Sequence, residues 1–220
     1  MSIAMEMTSP NSLVSFLKQI HSRAGLIARV KIAYRPYICP FSELLALVSA
    51  GDRVFDVGAG SGQFCLLLAE FAHAGWVGGI EIRESLVRNA RELFANAKVK
   101  VPHRFETYDG MTFPRHIRDA DKVFVVDILH HLPSRKQAQF LSGLHKAMAD
   151  GSILILKDID GASPFAFFNK VHDLFLAGEI GSEVSALRSR EMAREAGFKV
   201  RSDSYKRMWW YPHYTLVLEK

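Results

Sequence analysis

A mostly parallel, doubly wound α/β sheet, with an antiparallel last strand and helices on both faces, is the fold class this sequence predicts. Three observations predict it. Short apolar runs alternate with helical patterns from residue 51 onward, a rhythm that requires right-handed crossovers and parallel neighbouring strands. The first run, Val54-Phe55-Asp56-Val57, enters a turn Gly58-Ala59-Gly60-Ser61-Gly62 and then an apolar helix, the layout of a strand–turn–helix cradle for a nucleotide. Near the end, Lys199 to Ser204 and Met208 to Leu218 read as two strands with no helix between them, which implies antiparallel pairing.

The elements follow in order. Leu13, Phe16, Leu17, Ile20, Ile27 and Val30 recur at helical intervals among His21, Arg23, Arg29 and Lys31, so residues 11–32 are expected to form a basic amphipathic helix, or a pair broken at Gly25. Pro36 and Pro40 punctuate the next stretch, and a short helix is expected from Ser42 to Ser49. Strands are expected at 52–57, 76–82, 101–107, 121–127 and 152–158, with helices at 62–74, 84–97 and 134–149, the last opened by Ser134 after Pro133. Further helices are expected at 163–177 and 189–196. A single domain spanning 1–220 is expected, divided into a helical cap at 1–50, a ligand-binding core at 51–160, a helical lid at 161–196 and a terminal hairpin at 197–220.

Composition narrows the function class. The hydrophobic share of 49% suffices for one well-buried core. Cys39 and Cys65 show no C-x-x-C spacing, which favours a reduced cytoplasmic setting over a disulfide scaffold. The first ten residues carry no signal-like pattern, and no run reaches the roughly 18 apolar residues of a membrane span. Lys plus Arg number 28 against 23 acids, and this small excess has no dense basic run to mark a nucleic-acid surface.

The glycine turn carries the chemistry. Its spacing is G-x-G-x-G, and Gln63 stands where the G-x-G-x-x-G fingerprint of dinucleotide enzymes needs its third glycine. That departure disfavours a nicotinamide-dependent oxidoreductase. Glu81 follows Gly58 by 23 positions, close to the ~20-residue offset at which a carboxylate reaches ribose hydroxyls. With Asp56, the three glycines and Glu81, the chain resembles the class I S-adenosylmethionine-dependent methyltransferases, a Rossmann-like family. Tyr108-Asp109-Gly110 looks like the family's adenine-contacting turn. Val123 to Asp127, followed by Ile128-Leu129-His130-His131-Leu132-Pro133, looks like its fourth strand and active-site loop. The "LHHLP" ending is similar to the ubiquinone and menaquinone biosynthesis methyltransferases, and Glu195-Ala196-Gly197-Phe198 matches a common helix-to-strand junction of the family.

The resemblance implies S-adenosyl-L-methionine as cofactor, in-line methyl transfer as reaction, and a division of roles. Gly58, Ala59, Gly60 and Gly62 give backbone room, Asp56 orients the amino-acid end, Glu81 with Ile82 holds the ribose, and Asp109 with Gly110 meets the adenine. Asp127 and Ile128 lie beside the methionine portion. An imidazole titrates near neutral pH, so His130 and His131 are the candidate bases, with lining of the pocket as their alternative role, and Asp127 joins them on the catalytic side. His172 and Asp173 are candidates for polar groups above the same pocket. No metal is expected, because Asp158-Ile159 stands where metal-dependent catechol methyltransferases carry Asp-Asn. The carboxylates at 127, 158 and 160 are expected instead to orient substrate or to pair with Lys157 and Arg35.

A small, hydrophobic or lipid-like acceptor is expected, from Phe165, Phe167, Phe168, Leu174, Phe175 and Leu176 and from Met208-Trp209-Trp210-Tyr211. No N-P-P-Y or D-P-P-Y segment points to nucleic-acid bases. The expected setting is cytoplasmic, with peripheral membrane contact through the basic first helix as an open extension. RNA methylation, nicotinamide-dependent redox chemistry and a non-catalytic cofactor-binding subunit are the alternative readings.

Overall fold

The computed structural model describes residues 8–20, 34–163, 182 and 184–220. The expected helix at 163–177, the second half of the helix expected at 11–32, Phe165, Phe167, Phe168, His172, Asp173, Leu174, Phe175 and Leu176 lie outside them. The chain divides into two compact units, Met1–Thr112 and Phe113–Lys220.

The first unit opens with α1 (Pro10–Gln19), whose Ser9 hydroxyl accepts from the Ser12 N–H at 3.3 Å and so satisfies one orphan amide of the first turn. Its face of Leu13, Val14 and Leu17 is buried, and the Tyr37 hydroxyl donates to Asn11 Oδ1 at 2.7 Å. The expected short helix is confined to α2 (Phe41–Leu45). Then come β1 (Arg53–Val57), α3 (Gln63–Phe71), β2 (Trp76–Glu81), α4 (Glu84–Asn96) and β3 (His103–Thr107). β1 and β3 flank β2 and both run parallel to it, with Val57 opposite Ile80 and Glu81 opposite Thr107. The carboxyl ends of all three strands therefore share one edge, where the glycine turn and Glu81 sit. Helix α3 buries every residue from Gln63 to Ala69, and the rings of Phe41 and Phe64 stack at 5.0 Å.

The second unit carries β4 (Lys122–Val126), α5 (Ser134–Ala147), β5 (Ile153–Ile159), α6 (Ala186–Glu195), β6 (Lys199–Met208) and β7 (Tyr211–Glu219). β4 and β5 are parallel, with Val126 opposite Lys157. β7 runs antiparallel to both β5 and β6, as the tandem terminal strands imply. The hairpin differs from expectation in its turn. β6 continues through Tyr205, Lys206 and Arg207, and Met208 pairs with Tyr211, so the loop is Trp209-Trp210 alone. Two bulky aromatics are not turn residues by composition, which is why the break reads too early in the sequence.

Candidate functional site

In the first unit the three glycines do separate jobs. Gly58 and Ala59 both donate to the Ile80 carbonyl, at 2.8 and 2.9 Å, and Gly62 donates to the Ala59 carbonyl at 2.9 Å. Gly60 donates to Glu81 Oε2 at 3.2 Å. Those amides are spent on the protein itself, so what the turn offers a ligand at these positions is space rather than donors. A Cβ on Gly60 would meet nothing within 4 Å, and its φ of +54° lies in the left-handed region. A Cβ on Gly62 would strike the Ala90 Cβ at 2.8 Å and its Cα at 3.1 Å, so Gly62 serves the packing of α3 against α4. Across the turn, the other Glu81 oxygen, Oε1, accepts from the Arg83 N–H at 3.0 Å. Each carboxylate oxygen can accept more than one hydrogen bond, and the group is held beside the open side of Gly60 by both links.

Asp56 is buried under this turn, and the Cys65 thiol donates to its Oδ2 at 3.5 Å. Loss of hydration on burial pushes the Asp56 carboxyl from 3.8 up to about 7, against smaller opposing effects of the Cys65 hydrogen bond and the Arg35 charge. Burial, followed by the Asp56 charge, raises the Cys65 thiol well above its ordinary range. Cys65 had no role in the sequence reading. Only the i, i+9 placement across a strand–turn–helix could have signalled it.

Asp109 closes its own turn. Its Oδ1 accepts from the Met111 and Thr112 N–H groups, each at 2.7 Å, and these bonds hold its carboxyl below the usual range. Gly110 follows at φ +81° with open space around it. Ile82 and Met111 are both exposed, the first beyond the end of β2 and the second in the Asp109 turn. Met111 was missed because a methionine after Asp-Gly carries no spacing signal.

The second unit gathers a polar cluster at the carboxyl ends of β4 and β5. Asp127 takes a left-handed φ of +56°, its N–H donates to the Lys157 carbonyl at 2.9 Å, and its Oδ1 accepts from the Lys157 ammonium. Lys157 is fully buried. The expected pairing of these carboxylates with Lys157 is thus present for Asp127. Asp158 binds elsewhere. Its Oδ1 takes the His130 Nδ1–H and, at 2.7 Å, the Ile159 N–H, while Oδ2 accepts from the His130 N–H at 3.2 Å. Asp160 Oδ1 accepts from the Ala162 and Ala186 N–H groups, each at 3.1 Å, which anchors the start of α6. His130 is buried and His131 exposed, their rings 4.1 Å apart. Gln137 of α5 fastens the loop by donating to the carbonyls of Leu129, Leu132 and Ser182 at 3.0, 3.2 and 2.9 Å.

The Asp158–His130 hydrogen bond favours, in the neutral form of the imidazole, the tautomer with its proton on Nδ1. That is the arrangement of a carboxylate-oriented base. The sequence reading named His130 and His131 together, and the geometry separates them. The sequence assigns Asp158 to orienting substrate or pairing with Lys157 and Arg35, and it does not reveal the link to His130, because residues 28 apart meet only where two strand ends are neighbours.

Comparison with known proteins places these features in context. The family described as "Methyltransferase domain" matches residues 48–202. The chain is 26% identical over 155 residues to O-methyltransferase resE of Aspergillus sclerotiorum, covering 69% of this chain and 56% of that protein. It is 29% identical over 157 residues to 27-O-demethylrifamycin SV methyltransferase of Amycolatopsis mediterranei (strain S699), covering 71% of this chain and 52% of that one. The chain thus spans about half the length of the curated relatives it matches. Among solved structures, magnesium protoporphyrin IX methyltransferase from Synechocystis PCC 6803 with bound SAH matches with a TM-score of 0.69 at 18% identity, over 97% of this chain and 96% of that one. That likeness shows the expected Rossmann-like α/β fold.

Proposed function

We propose, from the premise that this chain belongs to the methyltransferase domain family, that it transfers the methyl group of S-adenosyl-L-methionine to a small hydrophobic acceptor. The observation that carries the reading is the pairing of Glu81 with the Gly60 N–H beside the open side of Gly60. A vicinal diol needs an acceptor carboxylate at an unobstructed turn, and this one is held in place before any ligand arrives. The exposed apolar side chains of Ile82 and Met111 suit the faces of a purine, and the exposed Asp109 carboxylate, whose oxygens can each accept more than one hydrogen bond, suits an exocyclic amine. When bound, the cofactor supplies a methyl group already activated for in-line displacement.

The residues of the second unit handle the proton. His130, oriented by Asp158, takes the proton of an acceptor hydroxyl on Nε2, and the Asp158 carboxylate stabilises the imidazolium that results. Asp127, paired with the buried Lys157 ammonium, holds a carboxylate just past the end of β4. The names of the two curated relatives, both methyltransferases and one of them acting on a rifamycin, support a small organic acceptor.

Calorimetry with S-adenosylhomocysteine tests the cradle, and incubation with labelled methyl donor and extracts, followed by mass identification of the labelled product, tests the reaction. Heat with the nucleoside and none with NAD(H) or NADP(H) is the expected result. Heat with the nicotinamide cofactors alone overturns the reading, and nucleoside binding without any labelled product leaves a non-catalytic binding protein.

A further inference from the structure

The turn of the terminal hairpin consists of Trp209 and Trp210, which are 71% and 44% exposed. Trp209 holds a φ of +58°, a conformation unusual for a bulky residue, and two-residue hairpin loops favour Gly, Asn and Asp over tryptophan. The pair therefore works against the turn it forms, and its use lies in the side chains. Tyr205, Lys206 and Arg207 are exposed on the strand leading into the turn. Leu187 is exposed at the start of α6, the helix whose Ala186 N–H binds Asp160, and the Asp160 N–H in turn donates to the Pro212 carbonyl at 2.7 Å. All the large apolar side chains exposed among the described residues of the second unit belong to the hairpin or to this neighbouring helix start. Residues 204–214 hold two cations and no carboxylate.

We propose that this hairpin tip is a membrane-docking surface whose partner is an anionic lipid bilayer. Indole and phenol rings favour the headgroup boundary, where one side of the ring is wet and the other apolar, and adjacent Lys and Arg side chains add attraction to anionic headgroups. The charge and aromatic content of Tyr205, Lys206, Arg207, Trp209 and Trp210 match that surface on both counts. Docking is peripheral, since no helix of the described residues is long and apolar enough to cross a membrane. The register places the consequence. Ile159 at the end of β5 pairs with His213, so the tip projects past the strand end that carries Asp158 and Asp160, and docking brings that edge of the second unit to the lipid. This places the proposed anchor on the hairpin; the basic residues of the expected first helix, His21, Arg23, Arg29 and Lys31, lie outside the described residues.

The test is sedimentation with vesicles of phosphatidylcholine alone and of phosphatidylcholine with phosphatidylglycerol, read with indole quenching by brominated acyl chains. The full chain is expected to pellet with the anionic vesicles and to show quenched emission. Trp209→Asn/Trp210→Gly puts a residue that tolerates the left-handed φ at 209 and a permissive glycine at 210, so the variant folds and should lose vesicle binding about tenfold or more; Lys206→Gln/Arg207→Gln should lose a similar amount on anionic vesicles only. The proposal is overturned if the wild-type chain stays in solution with both vesicles, if W209N/W210G pellets as well as wild type, or if the tryptophan variant abolishes only a dimer seen by ultracentrifugation. These readouts use no methyl donor, so docking and methyl transfer stand or fall separately.

Discussion

Lys157, fully buried in β5, places its ammonium on the carboxylate of Asp127, and the Lys157 carbonyl accepts the Asp127 N–H at 2.9 Å. The two residues thus lock side chain and backbone together at the end of β4, where Asp127 holds a φ of +56°. Removing Asp127 leaves the buried ammonium without its counter-ion, which typically costs about 3–5 kcal/mol, whereas removing Lys157 leaves a carboxylate with partial access to water. Asp127→Ala should lower the unfolding free energy by about 3 kcal/mol or more in urea titrations, and Lys157→Met should lower it by less. Asp127→Asn, which tolerates the left-handed backbone equally well, should cost less than Asp127→Ala, because an amide oxygen still accepts from the ammonium.

The Asp158–His130 pair makes a different prediction, read in turnover. Asp158→Asn removes the anionic partner of His130 Nδ1–H and permits the wrong tautomer. With an acceptor hydroxyl, kcat should fall by about 10²-fold or more while KM for the methyl donor stays nearly unchanged. His131, exposed beside it, should tolerate His131→Gln with less than about a tenfold loss. Equal losses at 130 and 131 would contradict the assignment of the base to His130.

How far the sequence reached depends on how local each signal was. Strands β1, β2, β4 and β5 were legible because each is a short, mainly apolar run bounded by turn residues, and the observed limits, such as Arg53–Val57 and Ile153–Ile159, fall within two residues of the expected ones. The cradle was legible for the same reason: its glycines and Glu81 belong to one strand–turn–helix–strand unit. Trp209-Trp210 was not, since that turn is enforced by the pairing of Met208 with Tyr211 against local preference. The Cys65–Asp56 and His130–Asp158 contacts were hidden because they depend on packing between elements, which no pattern along the chain records.

Gly60 and Gly62 should separate binding from stability. Gly60→Ala adds a methyl in open space and costs only the left-handed strain, about 1–2 kcal/mol, but it fills the room on which the cofactor reading depends. S-adenosylhomocysteine affinity should drop by about tenfold or more in calorimetry, with a small change in Tm. Gly62→Ala drives its methyl into Ala90 at 2.8 Å, backbone Cα included at 3.1 Å, and adds strain at φ +79°. It should destabilise the first unit by roughly 3 kcal/mol. If G60A bound the nucleoside like wild type, the open side of Gly60 would not be the ligand's seat.

Asp56 should give the protein an unusual pH dependence. Its carboxyl releases a proton near 3.8 when unfolded and near 7 when folded, because burial disfavours the charged form. Between those two values the folded chain keeps a proton that the unfolded chain has lost. Stability from this group therefore falls as pH rises across that window, and it is flat above about pH 7. The full span corresponds to roughly 4 kcal/mol at about 1.36 kcal/mol per pH unit. Asp56→Asn keeps the shape and removes the titration. Urea unfolding at about pH 4.5 and about pH 8 should show wild type losing stability relative to D56N at the higher pH. A wild-type minus D56N difference that does not change between the two conditions, or that changes with the opposite sign, would mean that the Asp56 carboxyl is ionised in the folded protein throughout.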